Sequence, residues 1–296
     1  MNPKDIFTKI RRIEISTKRL ATDVFAGAYH SVFKGQGVEF EEVREYQPGD
    51  DIRMIDWNVT ARTGRPHIKK FVEEREMTVM LVVDASRSCH FATIQELKSK
   101  LAAEIAAVLA FSAIKNNDKV GLAIFTNDIE KFIPPRKGLR HVLRVIREVL
   151  YFKPQGRTTN IKKALEFLSK VTRRRSVAFI ISDFFEANME KELKKDFTIA
   201  NKRHDVIAIT LNDPKEIDLP NCGLLELQDA ETGSRFKVDS SNRLVRERYH
   251  EHALKRARAR EDLFKSVGVD AINISTDQPF SHELVKFFIK RKKRFR

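Results

Sequence analysis

The hexamer Thr78-Val79-Met80-Leu81-Val82-Val83 runs directly into Asp84-Ala85-Ser86-Arg87-Ser88. An unbroken apolar run rich in β-branched residues is the pattern of a strand buried on both faces of a parallel sheet. Beyond it Ile94, Leu97, Leu101, Ile105, Val108 and Leu109 recur at helical spacing. A strand, a tight turn and a helix in that order commit this part of the chain to α/β layering. One carboxylate and two hydroxyls occupy alternate positions of the turn, at the carboxyl end of the strand, where open α/β sheets place their ligands. All three are hard oxygen donors, suited to Mg²⁺ or Mn²⁺ and unsuited to zinc. The same residue types also serve as helix N-caps, so the string alone leaves both readings open.

The alternation continues downstream. Lys119–Phe125 reads as a second strand and Ile129–Ile133 as a short edge strand stopped by Pro134-Pro135. Leu139 to Leu150 is an amphipathic helix with Val142, Val145, Ile146 and Val149 inward, and Ala164, Leu165 and Leu168 mark another. Strand Val177–Ile181, a helix over Met189–Ala200 and strand Val206–Leu211 follow. Leu224–Leu227 and Arg235–Val238 form a small hairpin inserted near 222–240. A long basic helix, a last strand over Val269–Ile274 and a closing helix over Glu283–Lys290 complete the series. The expected fold is α/β, a doubly wound, mostly parallel sheet of Rossmann type with right-handed crossovers. Ahead of it, Ile6 to Val32 reads as a helix with an interrupted apolar face, broken by Lys34-Gly35-Gln36-Gly37. The expected organisation is a helical and β-hairpin extension over 1–76 and an α/β domain over 77–296.

Two later stretches add to the first turn. Gly156-Arg157-Thr158-Thr159-Asn160-Ile161 precedes a helix, and strand Val177–Ile181 ends in Ser182-Asp183. The three loops together resemble the metal-ion-dependent adhesion site of von Willebrand factor A domains. The resemblance implies Mg²⁺ or Mn²⁺ held by Asp84, Ser86, Ser88, Thr159 and Asp183, with Thr158 the alternative threonine. Thr158 and Arg87 beside these ligands are the expected partner contacts. Cys89-His90 stands where such domains often carry methionine, and Arg87 puts a cation inside the loop.

Further upstream, Tyr46-Gln47-Pro48-Gly49-Asp50-Asp51-Ile52-Arg53-Met54-Ile55-Asp56-Trp57 is a long and chemically unusual string. It is similar to the bacterial family catalogued as domain of unknown function fifty-eight, whose members join such a segment to a von Willebrand A-like domain. That resemblance implies a MoxR-type AAA ATPase as partner, in assembly or maturation of protein complexes. Within the segment Pro48-Gly49 signals a turn. Glu39, Glu42, Glu45, Asp50, Asp51 and Asp56 alternate with Arg44, Arg53 and Arg62, which suggests a salt-bridged hairpin over the sheet edge. No nucleophile–base pair accompanies these acids, so a structural or partner-contacting role is expected in place of catalysis. Trp57, the single tryptophan, is expected as a core anchor. His67 lacks a companion at metal-ligand spacing.

Charge bears on partners. The 296 residues carry a net charge of +15, clustered at Arg173-Arg174-Arg175, along Arg243 to Arg260, and in the tail Lys290–Arg296. Glu247, Glu251 and Glu261 turn the second cluster into a solvated helix face with i, i+4 pairs. The tail is the better candidate for an anionic partner, nucleic acid or lipid, although no recognition motif accompanies it. No apolar run approaches the roughly 18 residues that span a bilayer, and the first residues lack a signal-peptide core, so a cytoplasmic protein is expected. Cys89 and Cys222 have no motif spacing.

Enzyme motifs are missing. Ser86 stands where a haloacid-dehalogenase-type phosphatase needs a second aspartate, and neither a phosphate-cradling loop nor a nucleophile elbow occurs. The expected function is a metal-dependent protein-binding module that is not an enzyme. Two alternatives are an anionic-surface binder using the tail and a Mg²⁺-dependent phosphoester hydrolase.

Overall fold

The computed structural model describes residues 39–72, 76–90, 98–185, 189–229 and 233–294. The helix expected over Ile6 to Val32 and the side chain of Cys89 lie outside the described residues. The chain divides into two compact units, one within Phe33–Met77 and one running from Thr78 to the carboxyl end.

In the smaller unit, strands β1 (Glu39–Glu45) and β2 (His67–Val72) pair antiparallel. Helix α1 (Trp57–Thr63) lies in the long excursion between them. The unusual string is a succession of caps. The Asp50 carboxylate accepts from the Gln47 backbone N–H at 2.8 Å and from Arg44 at 2.7 Å, closing the Pro-Gly turn; Arg44 holds its carboxyl below the usual range. Asp51 accepts from the Arg53 N–H and caps a 3-10 turn over Ile52–Met54. Asp56 accepts from the Asn58 and Val59 N–H groups and caps α1, which Gly64 ends at φ +72°. Each acid satisfies donors that a helix start leaves without partners. Ion pairs Arg65–Glu45 and Lys69–Asp56 tie the excursion to the strands. Trp57 departs from expectation: at 70% exposure it is no core anchor. It is the first residue of a helix of only two turns, whose inner face is too short to bury it.

In the larger unit six strands form one sheet: β3 (Thr78–Asp84), β4 (Lys119–Phe125), β5 (Ile129–Arg136), β6 (Val177–Ser182), β7 (Asp205–Asn212) and β10 (Asp270–Ser275). Their spatial order is β10-β7-β6-β3-β4-β5, parallel throughout except for the antiparallel edge β5. The remaining strands, β8 (Leu224–Gln228) and β9 (Arg235–Asp239), make the expected hairpin as a separate two-stranded sheet. The helices are α2 (Lys98–Lys115), α3 (Leu139–Tyr151), α4 (Ile161–Val171), α5 (Met189–Arg203), α6 (Arg243–Ser266) and α7 (Phe280–Arg294).

One expectation fails at β5, which runs through Pro134-Pro135 to Arg136. Proline is tolerated there because β5 is an edge strand whose register slips beside the prolines. The sequence accommodates this with Gly121: a Cβ there would stand 2.9 Å from Pro135 Cγ and 2.6 Å from Met80 Sδ.

On one sheet face Met80, Val82, Ala178, Ile180, Val206 and Ala208 meet α4, α5 and α6. Phe184, Phe197 and Phe264 pack edge to face there, with centroids 5.2 and 5.5 Å apart about Phe264. Truncating such a ring to alanine costs about 3–5 kcal/mol. The other face is covered by α2, which contacts β3, β4 and β7. Its Ala102, Ala103, Ala106, Ala107, Ala110 and Ala113 are all buried, and their small side chains let the helix sit deep. A buried charge on that helix, Lys98, is considered below.

Candidate functional site

The strand order reverses at β3: the chain leaves it for β4 on one side, and β6 flanks it on the other. The carboxyl ends of two adjacent parallel strands at such a point open a crevice for ligands. Asp84 ends β3 and Asp183 follows β6, one position past the residue level with Asp84, and the two carboxylates come close enough for the charge of Asp183 to act on Asp84.

The first loop folds back on its own acid. Asp84 Oδ1 accepts from the Ser86 backbone N–H at 2.8 Å, and the Ser86 and Ser88 hydroxyls are 2.9 Å apart. The second loop arrives from the start of α4. Thr159 is buried and its Oγ1 is 3.5 Å from Asp84 Oδ2, whereas Thr158 is exposed. Geometry therefore turns Thr159 toward the acid and leaves Thr158 outside. Arg87, also exposed, donates its backbone N–H to the Arg157 carbonyl at 3.2 Å, joining the two loops. Its guanidinium does not pair with Asp84.

The second loop is held by a residue with no sequence signature. Glu130 accepts from the backbone N–H groups of Gln155 and Gly156 at 2.8 and 2.9 Å and from Thr126 Oγ1 at 2.5 Å. Gly156 is required by this close approach, since a Cβ would stand 2.0 Å from Asn127 Oδ1.

The third loop is strained and clamped. Phe184, buried in the aromatic cluster, has φ +54°, an uncommon conformation for a bulky residue. Three contacts over-determine it. Its N–H donates to Ser182 Oγ at 2.9 Å, the Phe185 N–H donates to Asp183 Oδ1 at 3.2 Å, and Arg260 donates to the Asp183 carbonyl at 2.9 Å. The side chain of Asp183 is thereby aimed independently of its backbone carbonyl.

Charge in this cluster is unevenly matched. Asp84 and Asp183 are each about 2% exposed, and no basic side chain among the described residues pairs with Asp84. Burial and the neighbouring Asp183 charge push the Asp84 carboxyl up to about 7, against the hydrogen bonds from Ser182 and Ser86. Ser182, unremarked in the sequence, donates to Asp84 Oδ2 at 2.6 Å. Its position just before Asp183 on a strand end was the available clue.

Lys98 was missed as well. It is fully buried, with Nζ 3.3 Å from Asp183 Oδ2 and 2.6 Å from Glu216 Oε1. The signal was present: Lys98 falls three and seven residues before Leu101 and Ile105, on the stripe that faces the core. Burial holds the Glu216 carboxyl above the ordinary range, opposed by Lys98 and reinforced by Asp183. Glu216 is fixed in turn by accepting the Asp213 N–H at 3.1 Å.

The donor chemistry fits a hard divalent cation. Two carboxylates and three hydroxyls converge, and the excess negative charge is what such an ion would neutralise. Among the described residues no trio of His, Cys, Asp or Glu is placed to hold a metal. Coordination here would therefore depend on the hydroxyls as well as the two acids.

The basic clusters have other uses. Arg243 pairs with Glu247 at 2.6 Å along α6, as expected of a solvated face. In the tail, Arg291 is 6% exposed and bonds Asp205 and Asp270, and Arg294 bonds Asp270 at 2.9 Å. Two of the tail's cations thus bind the amino end of the sheet, as part of α7. No described helix is long and apolar enough to cross a membrane.

Comparison with known proteins returns the same architecture without an activity. The uncharacterized protein Rv1480 of Mycobacterium tuberculosis is 32% identical over 292 residues, 96% of this chain and 89% of its own length. The uncharacterized protein YeaD of Bacillus subtilis is 29% identical over 107 residues, 36% of this chain and 25% of its own. Among solved structures, an aerotolerance-related membrane protein from Bacteroides fragilis superposes with a TM-score of 0.50 at 14% identity, covering 74% of this chain and 99% of that one. The SpRpn10 VWA domain matches more distantly, with a TM-score of 0.40 at 10% identity over 71% and 94% of the two chains. At 14% identity the likeness to the Bacteroides fragilis protein is one of fold alone. Residues 42–260, taking in the capped excursion, the six-stranded sheet up to β7 and most of α6, match the family described as protein of unknown function DUF58, and the chain belongs to that family.

Proposed function

We propose that this protein is a metal-dependent protein-interaction module and not an enzyme. Asp84, Ser86, Ser88, Thr159 and Asp183 would hold Mg²⁺ or Mn²⁺. The observation that carries the reading is the juxtaposition of two buried carboxylates and three hydroxyls at the point where the strand order reverses. A bound cation would supply a coordination position for an oxygen of a partner's Asp or Glu. The chain's own groups orient that event. Ser182 and the Ser86 N–H fix the Asp84 carboxylate, Glu130 fixes the threonine loop, and Arg260 fixes the Asp183 loop. Arg87 and Thr158, exposed beside the ligands, would touch the partner.

The partner class implied by the family resemblance is a MoxR-type AAA ATPase, acting with this protein in assembly or maturation of complexes. The test is calorimetric titration of Mg²⁺ and Mn²⁺ into the full chain and into Asp84→Ala, followed by capture of such an ATPase with and without chelator. Saturable cation binding that is lost in the variant, with capture abolished by chelator, is the expected result. Capture that is equal in Asp84→Ala and wild type would sink the reading.

A further inference from the structure

Lys98 stands in an unusual position for a lysine. It is fully buried in α2, on the face that meets the sheet, and its ammonium lies between two carboxylates on different loops. One of them, Asp183, is a proposed cation ligand; the other, Glu216, is not. The two contacts are unequal, 3.3 Å to Asp183 Oδ2 and 2.6 Å to Glu216 Oε1. The lysine is therefore anchored on Glu216 and extends its charge to Asp183. Glu216 cannot readily follow it, because its other oxygen accepts the Asp213 N–H. Asp213 is itself fixed, accepting from the Lys215 N–H and from Thr276 Oγ1.

We infer that Lys98 is a tethered counter-ion of Asp183, and that Lys98 and Glu216 together set the cation affinity of the site. This rests on the metal-dependent reading above. A divalent ion using Asp183 must compete with an ammonium already beside that carboxylate, and like charges a few ångströms apart in a buried site repel strongly. Glu216 works in the opposite sense. It holds the ammonium at 2.6 Å, closer than Asp183 does, and adds negative charge to the surroundings. The pair makes the site a weak one by construction, ready to be completed when a partner brings a further carboxylate. A lysine is suited to this role because its flexible stem lets the charge shift without moving the helix.

The test is Mn²⁺ titration by calorimetry of wild type, Lys98→Met, Glu216→Gln, the charge-balanced double variant Lys98→Met/Glu216→Gln, and Lys100→Met. Lys100 is exposed on the same helix, so its loss changes the net charge without touching Asp183. Lys98→Met should bind Mn²⁺ about tenfold or more tighter than wild type, and Glu216→Gln about tenfold weaker. Lys100→Met should match wild type. The double variant, which leaves the summed charge of the cluster unchanged, should bind Mn²⁺ more tightly than Glu216→Gln and guards against misfolding of Lys98→Met. Wild-type affinity in Lys98→Met, with the double variant no tighter than Glu216→Gln, overturns the inference while leaving the metal site standing. Absence of Mn²⁺ binding in every variant, each folded by circular dichroism, overturns both the inference and the metal-dependent reading.

Discussion

The two ends of the parallel sheet carry charge clusters arranged on opposite principles. At the amino end Asp205 and Asp270 open β7 and β10, and both are met by Arg291 from α7, with Arg294 adding a second contact to Asp270. Two acids face two guanidiniums, and the charges balance. At the carboxyl end Asp84 and Asp183 are buried together, and the Lys98 ammonium beside Asp183 is shared with Glu216. Among the described residues no basic side chain pairs with Asp84, and the Arg260 guanidinium nearby bonds the Asp183 carbonyl and Asn212, not a carboxylate. Burying an unbalanced charge costs free energy that a well-paired cluster does not. The amino end is organised for stability, and the carboxyl end keeps a charge deficit that a ligand can relieve. Locally inconsistent sites in an otherwise consistent fold are where function is found.

The largest expected effect is at the balanced end. Arg291→Met leaves Asp205 and Asp270 without their central partner and should lower stability by about 3–5 kcal/mol, read as a fall in the urea midpoint. A loss below about 1 kcal/mol would mean that the contrast between the two ends is not energetic.

The complementary change at the unbalanced end should have the reverse sign. Because the Asp84 carboxyl is raised to about 7 in the folded state and sits near 3.8 when unfolded, the native protein binds more protons between those values. The stability this contributes is present in full below pH 3.8 and is lost as pH rises through 7. Asp84→Asn should remove that loss. In the metal-free state at pH 8 the variant should melt at a temperature equal to or above that of wild type, while losing any stabilisation by Mg²⁺. A variant clearly less stable than wild type at pH 8 would show that Asp84 is balanced after all.

Glu130→Gln sharpens the picture within the carboxyl end. Glu130 is hydrogen-bonded by three donors. Replacing its charge should cost about 1–2 kcal/mol and weaken cation binding by loosening the threonine loop. Unchanged stability would remove Glu130 from the support of the site.

The smallest effect concerns His204 at the amino end, where its Nδ1 faces Ser176 Oγ at 3.0 Å. Burial, with Arg203 and Arg175 nearby, holds its pKa below 6.5. The unfolded chain therefore binds the extra proton first as pH falls below 6.5. Stability present above that value is lost through the window beneath it. His204→Gln should flatten the acid side of the stability profile by less than about 1 kcal/mol. The two ends should thus lose stability in opposite pH directions, one on acidification and the other on approach to pH 7.

The alternation of strands and helices was legible residue by residue, because apolar periodicity is a local property. Thr78–Asp84, Lys119–Phe125, Asp205–Asn212 and the inserted hairpin lie within a residue or two of their expected limits. The failures were non-local. Pro134-Pro135 stops an isolated strand but not an edge strand with a slipped register beside Gly121. Trp57 reads as core by hydrophobicity alone, yet it heads a helix too short to cover it.

For the candidate site the sequence determined which hard-oxygen side chains stand at strand ends: Asp84, Ser86 and Ser88 in one loop, Thr159 in another, Asp183 in a third. Only the tertiary structure decided which threonine turns inward, that Ser182 bonds Asp84, and that Lys98 reaches both Asp183 and Glu216, the latter 118 residues away. The reason is physical. A loop's residue types follow from the backbone they must cap or terminate, whereas the charge around an acid is summed over every element packed against it. That sum exists only once β3, β6 and α2 have come together.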